Sequence, residues 1–119
     1  MYVESKQMEI EIREKMRGGV GSVQITHITK QSLPENARLI VRLELEPGAS
    51  IGLHEHFEET EVFYFIQGEG TLNDNGEIRT VKAGDAVLTG DGTAHSIENT
   101  GCKTLEFLAI IITKSFKNK

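Results

Sequence analysis

Nine of the twelve glycines in this 119-residue chain fall between Gly48 and Gly101, set among short runs rich in β-branched and aromatic residues. Glycine supplies the positive φ that tight turns require. Short strands separated by regular turn signals are the pattern of an all-β sandwich or barrel, and this spacing sets the fold class.

The strands can be read one by one. From Arg38, the residues Leu39, Val41, Leu43 and Leu45 alternate with Ile40, Arg42, Glu44 and Glu46, which predicts a strand with one buried face, ended by Pro47-Gly48. Ser22 to Thr29 (SVQITHIT) and Glu61 to Gln67 have strand composition. Asn73-Asp74-Asn75-Gly76 predicts a hairpin turn between Thr71-Leu72 and Ile78 to Val81. Further strands are expected at Asp85 to Leu88, His95 to Glu98 and Thr104 to Thr113. Residues 1–21 read as a strand or irregular arm that ends in the glycine-rich loop Arg17 to Gly21, 22–113 as the barrel, and 114–119 as a basic tail that should fray.

Several classes of function are disfavoured. Thirteen basic and eighteen acidic side chains give a net charge of −5, which speaks against nucleic acid or an anionic membrane as partner. The longest uncharged apolar run, Phe107 to Ile112, is too short to cross a bilayer, and Met1 to Gln7 is too polar for a signal peptide. The expected location is the cytoplasm. With one cysteine, Cys102, neither an internal disulfide nor a cysteine-based zinc site is available. Any metal would be held by His and carboxylate.

Such a set is present. His54 and His56 would leave the same face of a strand. Glu61 opens the next strand after a short connection, which predicts that the two strands are antiparallel neighbours. His95 begins a later strand, after the turn residues Gly90-Asp91-Gly92. Each residue alone has an ordinary reading, since Glu55, Glu58, Glu59 and Glu61 form an acidic run of the kind that faces solvent. Together on one inward face they would be costly to bury unless paired, and a divalent cation is the partner that satisfies them all. Strand parity also turns Phe63 and Phe65 inward with Glu61, and Gly52 inward with the histidines, where a missing side chain would leave space beside a metal. Phe63 and Phe65 are thus candidate substrate contacts, with core packing the equal alternative. His27 is expected at the core or rim, Arg42 outward or at a subunit contact, and Asp91 in a turn.

These spacings resemble the two motifs of the cupin family. The first is a glycine, five residues, His-x-His, three or four residues, Glu, six residues and a glycine, met here by Gly48, His54, His56, Glu61 and Gly68. The second is matched by Gly84, Gly92, His95 and Asn99, with Gly90 where proline is usual. The resemblance implies a double-stranded β-helix, or jelly-roll barrel, with His54, His56, Glu61 and His95 as ligands of one divalent transition metal (Mn, Fe, Co, Ni or Zn) and two open coordination positions. It further implies a small-molecule substrate, a homodimer, and an activity of dioxygenase, decarboxylase or isomerase type. A non-catalytic metabolite-binding module and a barrel with a purely structural metal are the alternatives.

Overall fold

The computed structural model describes residues 1–114, so the predicted basic tail beyond Lys114 lies outside the described residues. Among the described residues ten strands form two antiparallel sheets. They are β1 (Glu9–Glu14), β2 (Ser22–His27), β3 (Ala37–Leu45), β4 (Ser50–Glu55) and β5 (Glu59–Gln67), then β6 (Glu69–Asp74), β7 (Glu77–Lys82), β8 (Ala86–Thr89), β9 (Ala94–Glu98) and β10 (Leu105–Thr113). One sheet has the order β1-β2-β3-β10-β5-β8 and the other β4-β9-β6-β7. Their inner faces enclose a single core, and the whole is the jelly-roll architecture expected from the turn spacing.

The alternation in β3 works as predicted. Val41, Leu43 and Leu45 are buried, while Arg42 on the outer face lies 3.6 and 3.7 Å from the carboxylates of Glu44 and Glu106. The Asn75-Gly76 turn joins β6 to β7 with φ of 50° and 99°, the paired positive values that suit the twist of a two-residue hairpin. Near the N-terminus, β1 pairs with β2 from Glu9↔His27 to Glu14↔Ser22, which settles the two readings of this segment in favour of a strand. The following glycine-rich segment is a 3-10 turn, Met16–Gly18, seated against β4.

Two expectations fail. The strands carrying His56 and Glu61 are not neighbours, because β4 pairs with β9 in the smaller sheet and β5 pairs with β10 and β8 in the larger. The short connection crosses from one sheet to the other instead of making a hairpin. Gly52 also does not open space beside the histidines. Ile51 pairs with Ile97 but His54 pairs with His95, so β4 carries one extra residue between them. This β-bulge puts both Ile51 and His54 on the inner face and breaks strict alternation. Gly52 lacks a side chain for another reason: a Cβ there would lie 2.1 Å from the carbonyl oxygen of Arg17.

The outer face of the larger sheet keeps Tyr64, Ile66, Leu88 and Ile112 exposed. Among the described residues no helix is long and apolar enough to cross a membrane.

Candidate metal centre

Both sheets contribute to one cluster. The bulge in β4 aims His54 inward, opposite His95 on β9, while His56 follows at the end of β4 and Glu61 reaches in from β5 of the other sheet. One ligand atom from each of these four residues can be chosen so that all lie within 4.8 Å of one another. Nε2 of His95 is 3.1 Å from Nε2 of both His54 and His56. Glu61 Oε1 is 2.9 Å from Nε2 of His56 and of His95, and 4.0 Å from that of His54.

The outward ring nitrogens explain this convergence. His54 Nδ1 donates to the Gly52 carbonyl at 2.7 Å, and His56 Nδ1 donates to Glu59 Oε2 at 2.6 Å. His95 Nδ1 pairs with the Thr89 hydroxyl at 2.7 Å. A carbonyl and a carboxylate can only accept, so Nδ1 of His54 and His56 carries a proton, which leaves each Nε2 facing Glu61 either to share a second proton with the carboxylate or to give its lone pair to a cation. With neither between them, the lone pairs and the carboxylate would repel at this range. A proton relieves two of the atoms, whereas a cation relieves all four, and the anchored Nδ1 atoms are the usual support of metal-binding imidazoles.

Protonation points the same way. Burial pushes the Glu61 carboxyl up, but hydrogen bonds and charge from the surrounding imidazoles outweigh it and leave the carboxyl at about 2. Burial pushes the His95 imidazole down, and Glu61 only partly opposes this. An ionised Glu61 and a neutral His95 are the forms a metal takes. The donor set of nitrogen and oxygen without sulfur fits a divalent first-row ion.

A cavity of about 160 Å³ opens above the cluster, with His54, His56 and Glu61 at its floor. Arg13, Arg17, His27 and Arg38 supply its polar wall, and Phe63 lies in its apolar wall. Phe63 stacks on His95 with ring centroids 4.8 Å apart and 17° between planes. Phe65 is placed in the core instead: it is fully buried, packs 5.0 Å from the Phe107 ring, and does not line the cavity. A shallower depression of about 510 Å³, lined in part by Gln67, Lys82 and Cys102, lies away from the cluster and brings no metal-binding group together.

Several participants were not singled out from sequence. Glu11 on β1 accepts from His27 Nε2 at 2.9 Å and from Arg13 Nη2 at 2.7 Å, so the N-terminal strand helps build the cavity wall. Glu59 is held by Arg38, whose guanidinium keeps the carboxyl below its ordinary range. The only hint was the acidic run at 55–61, where strand alternation separates Glu59 and Glu61 from their neighbours. Asp91 does more than occupy a turn, since it accepts from the Glu58 N–H and pairs with Lys114 at 2.8 Å. Cys102 is exposed, with no metal-binding group gathered around it among the described residues.

Two antiparallel sheets closed over three histidines and one glutamate, under a small cavity, define the class: a jelly-roll barrel built around a potential cation site. The chain belongs to the cupin family, whose Cupin domain model matches residues 41–111. It is 47% identical over 113 residues to an oxalate-binding protein of Thermotoga maritima, covering 94% of this chain and 93% of that one. It also resembles the crystal structure of a predicted oxalate decarboxylase from Thermotoga maritima, with a TM-score of 0.89 and 46% identity over 95% of this chain and 99% of the other. The cupin domain of Cnp3 from Schizosaccharomyces pombe shares the fold at a TM-score of 0.74 and 14% identity, covering 92% of this chain and 73% of that one.

Proposed function

We propose that this protein binds a small dicarboxylate, oxalate or a close relative, at a divalent metal held by His54, His56, Glu61 and His95. The observation that carries the reading is the convergence of those four side chains, with His54, His56 and Glu61 at the floor of a cavity whose polar wall is cationic. A divalent cation there would supply Lewis acidity and open coordination for carboxylate oxygens. At about 160 Å³ the cavity is well below the roughly 300–1,000 Å³ of pockets for drug-sized ligands, which favours a ligand of a few heavy atoms. Arg13 and Arg38 are already paired with Glu11 and Glu59. Arg17 has no carboxylate partner among the described residues, so it is the cation of the wall free to meet a ligand's second carboxylate. Phe63 closes the apolar side.

Binding is favoured over turnover by the lining itself. Cleaving carbon dioxide from oxalate leaves a carbanion that must be protonated, and among the described residues Glu61 is the only carboxylate lining the cavity. Its role in the cluster leaves it unsuited as an acid. Among the described residues of the wall, His27 is the side chain outside the cluster with the chemistry of a proton donor, and it supports decarboxylation as the second reading. The exposed apolar residues of the larger sheet support a homodimer in solution, which light scattering tests.

Titration calorimetry of Mn(II)- and Zn(II)-loaded protein with oxalate, malonate, formate and acetate is the direct test. Saturable binding of oxalate, weak or absent for the monocarboxylates and lost in a His54→Ala/His56→Ala double variant, is expected. Formate and carbon dioxide released from oxalate would shift the reading to the decarboxylase. Equal affinity for oxalate in the metal-stripped protein would overturn it.

A further inference from the structure

The three imidazoles of the cluster are anchored at Nδ1 by three different groups: a peptide carbonyl for His54, a hydroxyl for His95 and a carboxylate for His56. Only the last carries charge. At 2.6 Å the His56 Nδ1–H to Glu59 Oε2 bond has the length of a charge-assisted one. Its carboxylate is built into place from both sides. Glu58 takes a left-handed backbone at φ 59°, its N–H bound by Asp91, and this turn starts β5 so that Glu59 falls on the same face as Glu61 and Phe63. From β3, Arg38 grips both carboxylate oxygens, Nε to Oε1 at 2.8 Å and Nη2 to Oε2 at 3.0 Å. The result is a chain Arg38–Glu59–His56 running from the cavity wall to the metal-facing Nε2.

We infer that Glu59 is a positioning residue of this centre, fixing His56 with Nε2 toward the cation and strengthening it as a donor, and that Arg38 locks Glu59 in that pose. The inference rests on the metal-site reading above. When Nε2 gives its lone pair to a cation, positive charge builds on the ring, and an ionised acceptor at Nδ1 stabilises that charge more than a carbonyl or hydroxyl does. Arg38 matters because a carboxylate that is only partly buried still has other rotamers available, and a bidentate guanidinium selects the one that meets His56. Glutamine at position 59 would keep an acceptor oxygen for His56. It would then present its NH2 to the Arg38 guanidinium, donor against donor.

The test is Zn(II) and Co(II) affinity, measured by chelator competition, in the wild type, Glu59→Gln, Arg38→Gln and, as a remote control, Lys82→Gln. Lys82 lies opposite Glu69, at the end of the β6–β7 ladder far from the Asp74–His95 pair, and its ammonium is 3.8 Å from Asp85. Glu59→Gln should bind about 10- to 100-fold more weakly, Arg38→Gln should be weakened less, and Lys82→Gln should match wild type. In zinc-loaded, 15N-labelled protein the His56 Nδ1–H proton should resonate far downfield and move upfield in Glu59→Gln, with His54 and the backbone amides unchanged. A purely structural role would not give that local shift. Wild-type uptake with Glu59→Gln affinity within about twofold and an unmoved His56 resonance would overturn this inference alone. A wild type that takes up neither ion would overturn the metal reading and this inference together.

Discussion

The imidazole of His54 is held by a bond from its Nδ1 to the carbonyl of Gly52, 2.7 Å away and two residues back along the same strand. That peptide is in turn covered by the 3-10 turn of the N-terminal segment, whose Arg17 carbonyl oxygen would sit 2.1 Å from any Cβ at position 52. A glycine required by backbone packing thus also orients a candidate ligand.

Gly52→Ala should therefore do two things at once. Displacing the turn should cost about 1–3 kcal/mol, as overpacking does, and the shift of the carbonyl should weaken metal binding. Denaturant unfolding and chelator competition on the same samples measure both. A variant with unchanged stability would contradict the close approach.

The two phenylalanines of β5 should separate cleanly. Phe65→Leu is expected to lower stability by about 1–3 kcal/mol and leave oxalate affinity within about twofold, because its ring packs on Phe107 away from the cavity. Phe63→Leu should lower both, since that ring lines the cavity and stacks on His95. Calorimetry with the metal-loaded variants distinguishes them.

Asn99 should prove structural. Its buried side chain donates to the carbonyls of Leu45 and Lys103, each at 2.8 Å, and accepts from the Gly101 N–H at 2.9 Å. Asn99→Ala strands these groups and should cost about 1–3 kcal/mol, with metal affinity preserved. Loss of metal uptake by a folded variant would show a role that these contacts do not explain.

Glu11 gives a pH-dependent prediction. Hydrogen bonds from His27 and then Arg13 hold its carboxyl below the ordinary value of 4.5. A carboxyl lowered on folding adds stability above its unfolded value, and that contribution disappears as pH falls through the lowered one. In metal-stripped protein, the melting-temperature gap between wild type and Glu11→Gln should be open at neutral pH and close in strongly acid solution. A gap that stays constant with pH would argue against the pair.

Much of the site was legible because its chemistry depends on short spacings. His54 and His56 lie one residue apart, and Glu61 and His95 stand at fixed distances from turn-forming glycines, so the four could be picked out before any pairing was known. The alternation of Leu39 to Leu45 was equally local. Glu59, Arg38 and Glu11 were not legible, since an acidic side chain on a polar stretch looks the same whether it meets water or an imidazole. What separates Glu59 from Glu58 is a left-handed turn and a guanidinium 21 residues away in sequence.

The sequence alone determined which side chains could bind a cation and that the chain would fold as short strands, because ligand type, period-2 patterning and turn chemistry act over a few residues. Tertiary structure decided the rest. It set Glu61 in the sheet opposite the histidines, inserted the bulge that brings His54 inward, packed Phe65 away from the cavity, and used Gly52 to seat a distant turn. Each of these depends on which strands lie side by side, a choice made by burial of the whole core at once and by no single stretch of residues.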